Sequence, residues 1–229
     1  MDLGWCIMNK ESLKDEVKLD NNWIATVVLG SKVLFPEWGL KQEKDPALNG
    51  MRISEMKQII AAILKDTDRD GVIVFPAGWF HSGMDPADSL YPEVTDEIKK
   101  SLDQTTRKII ICLGIDGLFD RPKDDDPFDR DQIALAIDRS GIIALGRKFF
   151  CRDDEKPIIY SASGYLEKEQ GKDRIFELNG VRYYLFECND IKAPYSKGAN
   201  FPNPGIDIGL NLIHRSMRKE RMNPGKSDH

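Results

Sequence analysis

Asp70-Gly-Val-Ile-Val-Phe-Pro76 decides the fold class. Val72 to Phe75 run apolar without alternating, which suits a strand covered on both faces, and Pro76 ends it. Upstream, Ile53, Met56, Ile59, Ile60, Ile63 and Leu64 recur at helical spacing and give one helix face to a core. Earlier still, Trp23-Ile-Ala-Thr-Val-Val-Leu29 reads as a second buried strand, separated from that helix by Pro36, Gly39, Pro46 and Gly50. Downstream of a loop carrying Gly83, Pro86 and Pro92, a helix is expected over Val94 to Thr106. A third buried strand follows over Lys108 to Leu113. Helices alternating with strands that do not alternate internally predict parallel strands sandwiched between layers.

Beyond that point hairpins take over. Ile133 to Ile137 and Ile142 to Lys148 flank Asp138-Arg-Ser-Gly141, a connection of hairpin length. Arg174 to Leu178 and Val181 to Cys188 enclose Asn179-Gly180, the strongest short hairpin signal, and Ile206 to Ile213 reads as one more strand. The region 151–172 is polar and irregular, and Arg215 to His229 is a polar, basic tail expected to be disordered. The result is a mixed α/β layer structure, with residues 1–214 as a single domain and 215–229 as the tail.

Composition narrows the function classes. A chain of 229 residues with 41% hydrophobic and 31% charged side chains has the balance of a folded domain. A net charge of -5 gives no bulk attraction to nucleic acid or anionic membrane, and neither is expected as a partner. Cys6, Cys112, Cys151 and Cys188 are too widely spaced for a disulfide framework or a short-spaced zinc motif. With no leader-like start and no long apolar run, a cytoplasmic protein is expected. His81, His214 and His229 are scattered, so neither a metal nor a cofactor is expected. The acidic stretch Asp124-Asp-Asp126 continuing to Asp129 and Asp131 lacks the glycine and terminal glutamate of a calcium loop and reads as solvated loop.

Chemistry concentrates at strand ends. Cys188 closes a strand and enters an Asn-Asp turn, Lys148 closes another, and Val72 to Phe75 ends in Pro76-Ala77. Three stretches carry a likeness: Gly71-Val-Ile-Val-Phe-Pro-Ala77, Asp138-Arg-Ser-Gly-Ile-Ile-Ala-Leu-Gly-Arg-Lys148, and Gly180-Val-Arg-Tyr-Tyr-Leu-Phe-Glu-Cys188-Asn-Asp190. In this order they resemble the boxes of the carbon-nitrogen hydrolase (nitrilase) superfamily, over roughly residues 23–213. The resemblance implies a four-layer α-β-β-α sandwich and a thiol hydrolase of non-peptide C–N bonds in amides or nitriles. By the same resemblance Cys188 is the nucleophile and Lys148 the charge stabiliser. Such chemistry needs a base to take the thiol proton and a cation to steady developing negative charge.

The departures are as specific as the matches. The family's Phe-Pro-Glu box supplies the general base, and here that position is Ala77, which accepts no proton. Phe35-Pro36-Glu37 spells the box literally but precedes the helix rather than following the second strand. Glu187 adjoins Cys188 and, by strand alternation, is expected on the opposite face. The family's additional glutamate, between its lysine and cysteine boxes, maps to Glu155, Glu167 or Glu169, with Glu167 favoured by distance along the chain. Asp190 is expected to order the turn after Cys188 by accepting backbone N–H bonds. The chain is short at its C-terminal end for the fold it resembles, so uncovered apolar faces are expected to be buried in a homodimer or higher homo-oligomer. Two functional readings follow: a hydrolase with a substitute carboxylate, and a non-catalytic binding or interaction module on the same fold.

Overall fold

The computed structural model describes residues 4–8, 22–28, 46–83, 85–118, 130–148, 174–195 and 205–213. Val72, Ile73, Val74 and Phe75 are all buried, as a strand sandwiched between layers requires. In chain order the elements are β1 (Gly4–Met8), β2 (Asn22–Val28), α1 (Asn49–Asp66), β3 (Asp70–Val74), β4 (Phe80–His81) and α2 (Tyr91–Leu102). They continue with β5 (Ile109–Leu118), β6 (Arg130–Asp138), β7 (Gly141–Arg147), β8 (Ile175–Leu178), β9 (Val181–Glu187) and β10 (Ile208–Leu212).

The first sheet runs β1-β2-β3-β5-β6-β7, with β4 pairing alongside β5. Its centre, β2, β3 and β5, is parallel, and β6 and β7 return antiparallel as a hairpin pair. The second sheet is β10-β9-β8, in which β8 and β9 form the Asn179-Gly180 hairpin and β10 joins β9 in parallel. Asn179 and Gly180 both have positive φ, 51° and 79°, the turn that matches strand twist.

Strand periodicity divides the core in two. Ile111, Leu113, Ile133 and Leu135 face α1 and α2 through Met56, Ile60, Ile63 and Ile98. On the other side Ile110, Cys112, Ala134, Ala136 and Ala144 meet Phe176, Tyr183, Leu185 and Leu212 of the second sheet. Small side chains on the first sheet thus receive large ones from the second, including the stacked rings of Phe176 and Tyr183, 4.9 Å apart. The described residues therefore form three layers: helices, the first sheet and the second sheet.

Several expectations are adjusted. α2 starts at Tyr91 with Pro92 in its first turn, where a missing N–H costs nothing, and ends at Leu102. Arg139, from the β6–β7 turn, donates to the Leu102 carbonyl at 3.0 Å and closes that end, so residues 103–106 leave the helix. Asp131 belongs to β6, opposite Gly117, and not to an acidic loop. β1 and β4 are additional to the predicted strands. A helical layer beyond the second sheet is not among the described residues, and the tail 215–229 lies outside them.

Candidate active site

Strand direction brings the singled-out residues to one end of the inter-sheet layer. Asn179, at the hairpin tip, donates to Asn22 Oδ1 and Asp70 Oδ2, both at 2.9 Å, and Asn22 Nδ2 donates to the Leu178 carbonyl at 2.9 Å. These bonds staple the start of β9 to the starts of β2 and β3. β9 therefore runs with β3, β5 and β7, and the C-terminal ends of these strands share one edge: Ala77 after β3, Lys148 after β7, Cys188 after β9. Edges of that kind are where open α/β sheets place ligands.

Lys148 does not snorkel to solvent; it is 2% exposed. Its N–H donates to the Gln132 carbonyl at 2.8 Å, extending the β6–β7 ladder, and its Nζ donates to Gln132 Oε1 at 2.7 Å. Gln132 Nε2 in turn reaches Asp116 Oδ2 at 3.5 Å. Residues 116 and 132 are register partners, and 132, 134 and 136 share the inter-sheet face. An ammonium only donates and a carboxylate only accepts, so the amide between them adapts one to the other and has its orientation fixed by both.

Cys188 is half-buried and has φ +54°, immediately after the extended Glu187. A left-handed backbone at a non-glycine residue costs about 1–2 kcal/mol and persists only where its surroundings enforce it. The enforcement is visible. Asp190, 0% exposed, accepts the Glu187 N–H at 3.3 Å and pairs with Arg174 Nη1 at 3.1 Å. Arg174, also buried, donates from Nη1 to the Leu185 carbonyl at 3.2 Å and from Nη2 to the Arg147 carbonyl. One guanidinium therefore ties the strand of Cys188 to the strand of Lys148. It lies across Gly146, where a Cβ would stand 2.8 Å from Nη1.

Ala77 is buried and packs in the inter-sheet core. Its backbone sits over Gly114, where a Cβ would lie 2.6 Å from the Ala77 Cα. Position 77 thus faces the layer in which Lys148 ends and brings no acid. Glu187 closes the extended run of β9. It shares the face of Val181, Tyr183 and Leu185, which look into the inter-sheet core, and is 0% exposed. The left-handed Cys188 ends the alternation, so opposition of the two side chains no longer follows.

Ala77, Lys148, Glu187 and Cys188 are thus brought to one edge. Glu37, Glu155, Glu167 and Glu169 lie outside the described residues. Sequence reasoning passed over Arg174, Gln132, Asp116 and Gly146. A buried arginine opening a strand gives no local signal, and the polar character of Gln132 beside Ile133 is the one local feature that could have singled it out. Burial pushes the thiol of Cys112, deep in the inter-sheet core, far above its ordinary range, which leaves it inert. Among the described residues no group of three or more His, Cys, Asp or Glu is arranged to hold a metal, and no helix is long and apolar enough to cross a membrane.

No protein-family model matches the chain, and no curated protein does. Among solved structures it is similar to a glutamine-dependent NAD+ synthetase from Acinetobacter baumannii, with 15% identity and a TM-score of 0.44. A second NAD(+) synthetase, from Cytophaga hutchinsonii, matches at 12% and 0.44, and an amidase from Nesterenkonia sp. at 13% and 0.39. The matches cover 74%, 75% and 66% of this chain. They span 30% and 29% of the two synthetases and 53% of the amidase. Likeness this distant carries no inference about the reaction. Fold and site together define the class: a mixed α/β protein of two sheets, with a left-handed cysteine and a buried lysine at one strand-end edge.

Proposed function

We propose that the chain is a nitrilase-like thiol hydrolase of a small amide or nitrile, with Cys188 as nucleophile, Lys148 as charge stabiliser and Ala77 in the place of the usual base. The observation that carries this reading is the left-handed Cys188 elbow braced to the Lys148 strand by Arg174. A thiol presented on a strained strand-to-helix turn is exposed to a substrate carbon while the strands behind it stay packed. A buried ammonium lowers the energy of a nearby thiolate and of negative charge developing on oxygen or nitrogen. Glu167 remains the favoured position for the family's additional carboxylate. Tyr184 and Phe186, on the outer face of the second sheet, are buried at 1% and 5%, which supports a fourth layer covering that face. A cytoplasmic homodimer or higher homo-oligomer, with no nucleic acid, membrane or cofactor, completes the proposal.

The test is ammonia release from an amide and nitrile panel by the native chain, Cys188→Ala and Ala77→Glu. Cys188-dependent release by the native chain or by Ala77→Glu supports the hydrolase; none from either refutes it. The second reading, a binding module that has kept the fold, is favoured by Ala77 itself. It gains if panel members bind with measurable affinity and are never cleaved.

A further inference from the structure

We propose that Asn179 is a site of self-modification: its side chain loses ammonia to the Gly180 backbone, and the resulting acid unfastens the second sheet from the first. This chemistry is independent of the hydrolase reading. Asn179 and Gly180 are the exposed tip of the β8–β9 hairpin, with φ of 51° and 79°. No described atom lies within 4 Å of the point that a Cβ on Gly180 would occupy, so the Gly180 nitrogen is unhindered. The Asn179 side chain donates from Nδ2 to Asn22 Oδ1 and Asp70 Oδ2, both at 2.9 Å. These bonds hold the departing nitrogen and leave the carbonyl carbon open to attack. A carboxylate beside that nitrogen favours the protonated form in which it departs.

The sequence holds a second Asn-Gly pair, Asn49-Gly50, and the structure tells the two apart. Asn49 opens α1 and is 8% exposed. Its Nδ2 donates to the His81 carbonyl at 2.8 Å and its Oδ1 accepts the His81 N–H at 3.1 Å, so that carboxamide is clamped at both ends. Helical backbone also fixes the direction of the Gly50 nitrogen. Burial and backbone protect Asn49, whereas the hairpin tip leaves Asn179 in water. The glycine that the turn requires for its positive φ is the same residue that makes the turn reactive.

The steps balance with water as co-reactant. A solvent base takes the Gly180 amide proton, and the nitrogen adds to Asn179 Cγ. The Cγ–Nδ2 bond breaks, Nδ2 takes a proton from solvent and leaves as ammonia, and a cyclic imide remains. Water adds to either imide carbonyl and the ring C–N bond opens, giving aspartate from one carbonyl and isoaspartate from the other. Aspartate exchanges a donor for an acceptor. Its carboxylate faces Asp70 and Asn22 Oδ1 across contacts of 2.9 Å that were hydrogen bonds, and the like charges repel. Isoaspartate adds a backbone atom to a turn whose length sets the β8–β9 register. In both products the start of β9 loses its fastening to the starts of β2 and β3.

The experiment incubates the folded full chain at mildly alkaline pH in water enriched in heavy oxygen and maps its peptides by mass spectrometry. Label is expected in the peptide carrying Asn179 at about tenfold or more the level in the peptide carrying Asn49, where two hydrogen bonds must break first. Asn179→Asp installs the acid at once. Amide hydrogen exchange in its β8 and β9 is expected to be about tenfold faster than in the native chain, the worth of the charge-assisted bond that is lost. The double variant N179D/D70N swaps acid and amide across the same contact and keeps an oxygen at position 70 for the Lys108 N–H, so exchange should slow again. Where Asn179→Asp does not fold, recovery of folding by the double variant is the equivalent result. Equal labelling of Asn49 and Asn179, or none at either, overturns the modification. Native exchange in Asn179→Asp, or a double variant no better than the single one, overturns the release of the sheet.

Discussion

Arg174 and Asp190 meet at 3.1 Å with side chains 1% and 0% exposed, and this pair holds the turn on which Cys188 sits. Replacing both by apolar residues could be neutral, but removing one leaves the other charged and buried. Asp190→Asn is therefore expected to destabilise the chain by about 3–5 kcal/mol in urea unfolding. Arg174→Lys keeps the charge but reaches fewer of the three oxygens that the guanidinium fork serves, so it should fall between native and Asp190→Asn. Equal stability of all three forms would contradict the bracing role.

Gly146→Ala tests the same brace from the other strand. The added Cβ would stand 2.8 Å, 2.9 Å and 3.0 Å from Nη1, Cγ and Cζ of Arg174, so a buried side chain with three fixed partners has to move. Overpacking of this kind costs about 1–3 kcal/mol. The rate of Cys188 alkylation should change with it, because the displaced guanidinium no longer fixes Asp190. An alanine variant with native stability and native thiol reactivity would show that Arg174 has slack.

The fold was legible where the chain repeats an apolar pattern. Val72 to Phe75, the α1 stripe and the Asn179-Gly180 turn each carry a local signal, and each formed the element expected of it. β4 was not legible, because Phe80–His81 pairs only through its tertiary neighbour β5 and a two-residue bridge has no period. The site divides in the same way. Lys148 and Cys188 stood at strand ends that the sequence marks. Arg174 opens a strand like any exposed arginine, and its partners lie 11 to 27 residues away. Gln132 and Asp116 are joined only by the β5–β6 register. Glu187 was assigned a face by alternation, a rule that holds as far as the extended backbone does and stops at the positive φ of Cys188.

Gln132→Met removes the Oε1 that accepts from Lys148 Nζ at 2.7 Å while keeping the length of the side chain. A hydrogen bond to a charged group contributes about 1.5–3 kcal/mol, and losing it inside the protein is expected to cost about that much in unfolding free energy. Gln132→Glu keeps an acceptor for Lys148 but loses the donor to Asp116 Oδ2 and sets a second carboxylate beside it, so it should recover only part of that loss. If methionine and glutamate prove equally harmless, Lys148 is held by something other than this amide.

Tyr183 contributes to the loss of stability at alkaline pH. Burial in the inter-sheet core, opposed by a hydrogen bond from Asn22 and reinforced by the nearby Cys112 and Asp207, pushes its hydroxyl from the usual value near 10 to about 12. The folded form then holds a proton that the unfolded form releases above pH 10, so unfolding gains from deprotonation over that interval. Stability contributed by Tyr183 is present in full below about pH 10 and is lost as pH rises toward about 12. Tyr183→Phe removes this titration, so its stability should fall less steeply across that window than the native chain's. The measurement is urea unfolding of both forms at several pH values from 9 upward. Parallel pH slopes would place the alkaline loss elsewhere.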